Sequence, residues 1–344
     1  MSKLSSEEYF AKREAYKLKK GLKDLKKVEK ELVKAYKKAM NEIGKEISNF
    51  FYKYAKDNNL SYKDAQKFLN GKEYKEFKYD LKTYMKLIEE NADEELLLEL
   101  NTLSMKSRIN RLEELFFQCG KYINEVYETS EKSLRICYKG TVKDNYYQTI
   151  YDIHKYVGVG ASFSHIDNDM IKNILAFPWS GRHYSQRLWS NRTKLKNIMV
   201  EELTQMLIQG KGVRETSKAL SKRLDTDLKN CVRLIHTEHA YFMESASEKA
   251  YEELGVEKYQ ILATLDNRTS PICQKLDGEV FNVKDAVVGV NMPPFHWHPR
   301  CRTTTIPYIE NNNSTRFARD DKGKRIEVPS SMSYNEWKKI YKID

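Results

Sequence analysis

From Leu22 to Tyr54, apolar side chains fall at Leu22, Leu25, Val28, Leu32, Tyr36, Ala39, Ile43, Ile47, Phe50 and Tyr54. The steps of three and four average near the helical period, so the pattern predicts one long amphipathic helix with Gly21 and Gly44 as its weak points. Further helices are expected over Ser61–Asn70 with Ser61 as N-cap, Glu73–Asn91, Asp93–Gly140 and Asp144–Val157. The texture changes between Val157 and Trp189, where Gly158, Gly160, Pro178 and Gly181 stand among aromatics, and an irregular connection is expected there. Helical spacing returns over Trp189–Gln209, breaks at Gly210 and Gly212, and continues through Val213–Leu224 and Leu228–Leu254 to Gly255, placed as a C-cap glycine.

Past Gly255 the period shortens. Lys258–Leu265 is β-prone, Asp266–Thr269 reads as a turn, and Asp277-Gly278 is a tight-turn signal before a returning strand at Glu279–Val283. Arg302–Tyr308 supplies a third strand, while the run from Pro293 to Cys301 is too proline-rich for a sheet interior and reads as a clamped loop. A short amphipathic helix is expected after Ser333. The fold class is therefore mainly α, an elongated helical region followed by a small α+β C-terminal domain with an antiparallel sheet. The expected divisions are a helical bundle at 1–157, a Trp-rich connection at 158–190, helices and then the sheet at 191–309, and a tail at 310–344.

Composition changes this picture little. In 344 residues, 23 Tyr and 13 Phe with 40% apolar side chains are too many for a disordered chain. No stretch approaches the roughly 18 apolar residues of a membrane span, and the start lacks a secretion signal, so a cytoplasmic origin is expected. Five scattered cysteines do not form a disulfide framework, and three of them are read as core residues. The net charge of +11, with sixteen Lys/Arg against nine Asp/Glu in residues 1–57, favours acidic partners through salt-sensitive attraction.

Candidate chemistry gathers near the C-terminus. Cys273, His298 and Cys301 are metal-ligand types, and His298-x-x-Cys301 lets two side chains converge on one ion. Three ligands are not four, and His296 is the candidate for the missing one. The residues leave open a structural zinc, a metal-free loop held by packing, and a Cys273 to Cys301 disulfide. Asp266 and Arg268 read as a structural turn clamp, and Asp277 with Gly278 as a turn whose positive φ glycine supplies. His236, Glu238 and His239 lie within one helical turn but lack a metalloprotease spacing, and Arg233 is expected to pair with Glu238 or Thr237. Gly210-Lys211-Gly212 lacks the spacing of a phosphate loop. Trp179, Trp189, Trp297 and Trp337 are expected to anchor loops onto helices.

Several of these residues form one ordered series: Leu265 to Cys273, Leu276-Asp277-Gly278, Pro293-Pro294-Phe295-His296 and His298-Pro299-Arg300-Cys301-Arg302. The series resembles the phage Mu F-like head morphogenesis domain. Arg233, Thr237, Glu238 and Gly255-Val256, and upstream Trp179-Ser180-Gly181, Ser185, Arg187, Trp189 and Asn191, are similar to the segments leading into it. The end, from Phe317-Ala318-Arg319 to Glu336-Trp337, resembles the tail of minor capsid proteins from phages of Gram-positive bacteria. In relatives of this kind a Cys often stands where this chain has Ser270, which weakens the zinc reading. The resemblance implies a non-enzymatic minor head protein of the virion, made in the host cytoplasm. Its implied partners are the portal protein, scaffold or capsid proteins, and phage DNA bound without sequence preference, with no membrane in the assembled head. The rival expectation is a metal-dependent nuclease or toxin-like enzyme carried in the head.

Overall fold

The computed structural model describes residues 6–57, 59, 61, 106–158, 160–209, 213–264, 266, 269–295, 300–309, 317–319 and 325–327. Helices expected at 61–70, 73–91 and after Ser333 lie outside them, as do Trp297 and Trp337. Helix α1 spans Ser6–Asp57, 52 residues, and buries Leu25, Val28, Leu32, Tyr36, Ala39, Ile43, Ile47 and Phe50 on the stripe that the spacing marks. The stripe extends towards the N-terminus in phase through Phe10, Glu14, Lys17 and Gly21, two of them charged and buried.

Helix α2, Lys106–Val157, joins two expected helices in one. Gly140 costs such a helix about 1 kcal/mol, which the burial of Tyr138, Val142, Tyr146 and Ile150 around it outweighs. The segment expected to be irregular holds α3, Asn168–Ala176, whose N-cap Asp167 accepts the Met170 N–H at 2.6 Å. Helix α4 spans Tyr184–Gln209 and α5 Val213–Glu253. Helix α5 ends at Gly255, φ 66°, where the Val256 N–H donates to the Tyr251 carbonyl at 2.9 Å, a Schellman closure.

Three strands follow: β1 Lys258–Leu262, β2 Val280–Asn282 and β3 Thr304–Pro307, in the antiparallel order β2-β1-β3. Tyr259 pairs with Phe281 on one side and Pro307 on the other. A short helix α6, Pro271–Leu276, lies between β1 and β2. Strands β4, Phe317–Arg319, and β5, Arg325–Glu327, form a separate antiparallel pair, unforeseen in a segment that reads as a polar tail.

The chain divides into two compact units, each assembled from separated stretches. One comprises residues 1–29, 132–187 and 232–344 and the other 30–131 and 188–231. The first holds the sheet, with a core of Phe10, Ile153, Tyr251, Tyr259, Ile261, Cys273, Met292, Phe295, Cys301 and Ile306. In the second, the buried phenols of Tyr36 and Tyr127 both donate to Asp227 Oδ2 at 2.5 Å. Asp227 lies where the apolar pattern of α5 is interrupted, and it serves the helix packing as an acceptor for two buried donors.

Candidate functional site

The described residues of the ordered series lie in the sheet-bearing unit. Ser270 caps α6, its hydroxyl accepting the Cys273 N–H at 3.3 Å, with Pro271 in the first turn. That turn points Cys273 into the core beside Cys301, their sulfurs 3.8 Å apart and both side chains buried. All five cysteines are thiols. Contact with Cys273 and burial push the Cys301 thiol well above its usual range, against backbone N–H donors from Thr303 and Phe295.

Two thiolates on one tetrahedral zinc sit about 3.7 Å apart for bonds of roughly 2.3 Å, so this pair suits such an ion. Ser270 is committed to its helix cap, and His296 and His298 lie outside the described residues. Among the described residues no group of three His, Cys, Asp or Glu is placed to hold a metal. The metal-free arrangement is a packed thiol pair within the core of Phe295, Met292 and Ile306.

Asp266 is clamped by Arg302, whose guanidinium makes a bidentate pair with it at 2.5 and 2.7 Å. Arg268 lies outside the described residues, so the partner seen for the turn comes from 36 positions on. Arg302 also offers its carbonyl to Thr264 Oγ1 at 3.1 Å, tying both ends of the β1 to β3 connection together. Asp277 accepts the Ala263 N–H at 2.7 Å, and Gly278 at φ 81° donates its N–H to the Ile261 carbonyl at 2.9 Å. Both are structural turn contacts. Arg300 takes the left-handed φ of 60°, a costly conformation for a side-chain-bearing residue, and its N–H donates to Thr237 Oγ1 at 3.0 Å.

Thr237 leads to a second cluster. Glu238, 1% exposed, accepts Arg187 at 2.7 Å and the Trp179 indole N–H at 3.0 Å. The Arg187 guanidinium lies 5.3 Å over the Trp179 ring and reaches the Ser180 carbonyl at 3.1 Å. Trp179 stacks on Tyr241 at 5.3 Å and 12°. Burial lifts the Glu238 carboxyl to about 6, while Arg187 and the indole hold it down. Arg187 and Trp179 thus serve this carboxylate, and Arg233, expected to pair with Glu238 or Thr237, accepts the Thr237 hydroxyl on its carbonyl at 2.9 Å. His236 bonds Glu29, and His239 is buried against Gly21 with its pKa lowered to about 4, first by burial and then by His236. Glu238 therefore faces Arg187 and Trp179, while His236 and His239 face α1. In the other unit, Trp189 donates to Glu131 at 2.9 Å with Arg192 4.3 Å over its ring.

Sequence reasoning missed a third cluster, buried between α1, α2, α5 and β3. Arg13 meets Asp152 at 2.5 Å, Lys17 meets Glu14 at 2.5 Å and Thr149 at 2.8 Å, and Glu244 meets Thr304 and Thr305. The signal available was phase: Glu14 and Lys17 stand where the apolar stripe of α1, extended backwards, requires core residues.

Residues 197–305 match the family described as Phage Mu protein F like protein. The chain is similar to the minor head protein GP7 of Bacillus phage SPP1, 27% identical over 67% of this chain and 79% of that protein. It is also similar to the NAD(+)--arginine ADP-ribosyltransferase EFV of Enterococcus faecalis, 25% identical over 77% of this chain, which spans about half, 55%, of that relative. No solved structure gives a significant match. The domain match, residues 197–305, spans α5, strands β1 and β2 and the thiol pair, and the minor head relative extends this similarity to the Mu F-like family over two thirds of the chain.

Proposed function

We propose that the chain is a minor head protein of a tailed bacteriophage, a virion component that works beside the portal in head morphogenesis and in the packaging or ejection of DNA. The observation that carries this reading is the family match over residues 197–305, extended by the minor head relative. Portal protein, scaffold or capsid proteins and phage DNA are the proposed partners, and the protein is made in the host cytoplasm. No helix among the described residues is long and apolar enough to cross a membrane. Quantitative mass spectrometry of purified heads tests the reading, with a low-copy protein co-purifying with portal as the expected result. Portal-containing heads that lack the chain would refute it.

Sequence-independent DNA contact is supported by α1. Lys19, Lys23, Lys26, Lys30, Lys34 and Lys37 are exposed and recur at helical spacing on the face opposite the buried stripe. They make a cationic ridge about 27 Å long at roughly 1.5 Å per residue. Log K is expected to fall against log salt with a slope of about 5 if all six contact phosphates, each Lys→Gln change removing about 0.9. Binding indifferent to salt would count against this contact.

The transferase relative favours a second reading, an enzyme. We propose that this chain is not catalytic by itself, a view supported by the structural engagement of Glu238, His236, Asp266 and Asp277. The purified chain is expected neither to release nicotinamide from NAD+ with an arginine acceptor nor to nick DNA with divalent metals in a chelator-sensitive way. Either activity would install the enzyme reading. The thiol pair is proposed to be held by packing, so elemental analysis is expected to return less than one zinc per chain. A full equivalent, lost on Cys301→Ser together with thermal stability, would reverse that.

A further inference from the structure

We infer that Glu244 is carried as a neutral carboxylic acid in the folded protein, and that its single proton is a latch fastening α1 and β3 to α5. The geometry rests on hydrogen counting. Glu244 Oε2 accepts the Thr305 N–H at 3.1 Å and the Thr305 hydroxyl at 2.9 Å. Its Oε1 lies 2.5 Å from Thr304 Oγ1, which also lies 3.4 Å from Glu14 Oε2. A threonine hydroxyl has one hydrogen and cannot donate to both carboxyls. With the proton on Glu244, every contact is matched: Glu244 donates to Thr304, and Thr304 donates to Glu14.

Charge counting agrees. The groups facing Glu244 are Glu14 and Lys17 from α1, Tyr251 from its own helix and Tyr259 from β1, while Asp152 of α2 acts on Glu14 and is paired with Arg13. Strand β3 contributes the neutral Thr304 and Thr305. Glu14 holds Lys17 and Asp152 holds Arg13, so both cations are matched by carboxylates and an ionised Glu244 would be an uncompensated buried charge. Burial and the facing Glu14 raise the Glu244 carboxyl to about 8. Losing the proton sets two carboxylates across one hydroxyl; separating α1 from α5 relieves their repulsion, and separating β3 from α5 lets water reach the buried charge.

The sign follows from linkage. A carboxyl raised from 4.5 to about 8 contributes stability that is whole below 4.5 and is lost as pH rises through 8. Denaturant unfolding of the full chain and of Glu244→Gln across this range tests the latch, since Gln keeps a donor for Thr304 and an acceptor for Thr305 without titrating. The unfolding constant of the wild type relative to the variant is expected to rise about tenfold per pH unit up to about pH 8 and then level off. A ratio that does not change with pH overturns the proposal. Should the variant fail to fold, hydrogen exchange of the wild type at pH 6 and 9, corrected for intrinsic rates, decides the matter. Selective loss of protection in residues 6–20 and 304–307 at the higher pH is expected, and unchanged protection there refutes the latch.

Discussion

At the residue scale, Gly21 and Gly44 stand on the same helix and differ only in what surrounds them. A Cβ at Gly21 would lie 2.7 Å from His239 Cε1, whereas at Gly44 it would meet only Ser217 Oγ at 4.0 Å. Gly21→Ala is therefore expected to destabilise the protein by about 1–3 kcal/mol through overpacking against a buried ring. Gly44→Ala is expected to stabilise it by about 0.5–1 kcal/mol through helix propensity. Denaturant midpoints of the two variants check the pair, and equal effects would show that the His239 contact is immaterial. Both glycines read alike in the sequence, as weak points in a helix. The difference arises from α5, 218 positions away in the chain, which brings His239 against one of them.

At the element scale, the clasp of Trp179, Arg187 and Glu238 joins the segment after α3 and the start of α4 to the middle of α5. Replacing Arg187 with Met leaves the Glu238 carboxylate buried without its cation, and a loss of about 3–5 kcal/mol is expected. Adding Glu238→Gln to that variant should recover part of the loss, because the orphaned charge is gone, and a double-mutant cycle by thermal melting measures the coupling. Additive losses would contradict the pairing. Trp179, Arg187 and Glu238 all stood in the segments that lead into the ordered series, yet Arg233 was the cation expected to pair with Glu238 or Thr237. A neighbour one helical turn away is visible in a sequence. A cation delivered 51 residues away by another helix is not.

At the scale of the whole molecule, the large carboxyl shifts point one way. Glu238 is raised to about 6 and Glu244 to about 8, chiefly by burial, and Glu248 to about 7 by burial and Glu252. Each contributes stability present below 4.5 and lost as pH rises through its folded value. His239, lowered to about 4, acts oppositely, its contribution whole above 6.5 and lost as pH falls through 4. Three carboxyls against one imidazole give a net fall in stability as pH rises from about 5 to 8. A melting temperature highest on the acidic side of neutrality is expected, and a profile rising steadily to pH 8 would contradict these burials.

The sequence by itself determined most of the long helices and the three strands of the sheet in their order along the chain. A helical stripe carried by ten apolar positions in α1, the change of period after Gly255 and the turn chemistry at Asp277-Gly278 are local properties, readable wherever neighbouring residues set the backbone. The ordered motif series also showed the resemblance that the match over residues 197–305 bears out, because a spaced set of turn and ligand residues is a one-dimensional pattern. Only the tertiary structure decided which of these residues meet: Asp266 with Arg302, Ser270 with its helix cap, Thr237 with Arg300, Glu238 with Arg187. It also placed Glu14, Lys17, Asp152 and Glu244 inside the protein, where their types alone put them at the surface. Burial is a property of what packs against a side chain, and a buried charge becomes tenable through partners drawn from distant helices and strands, so no local pattern announces it.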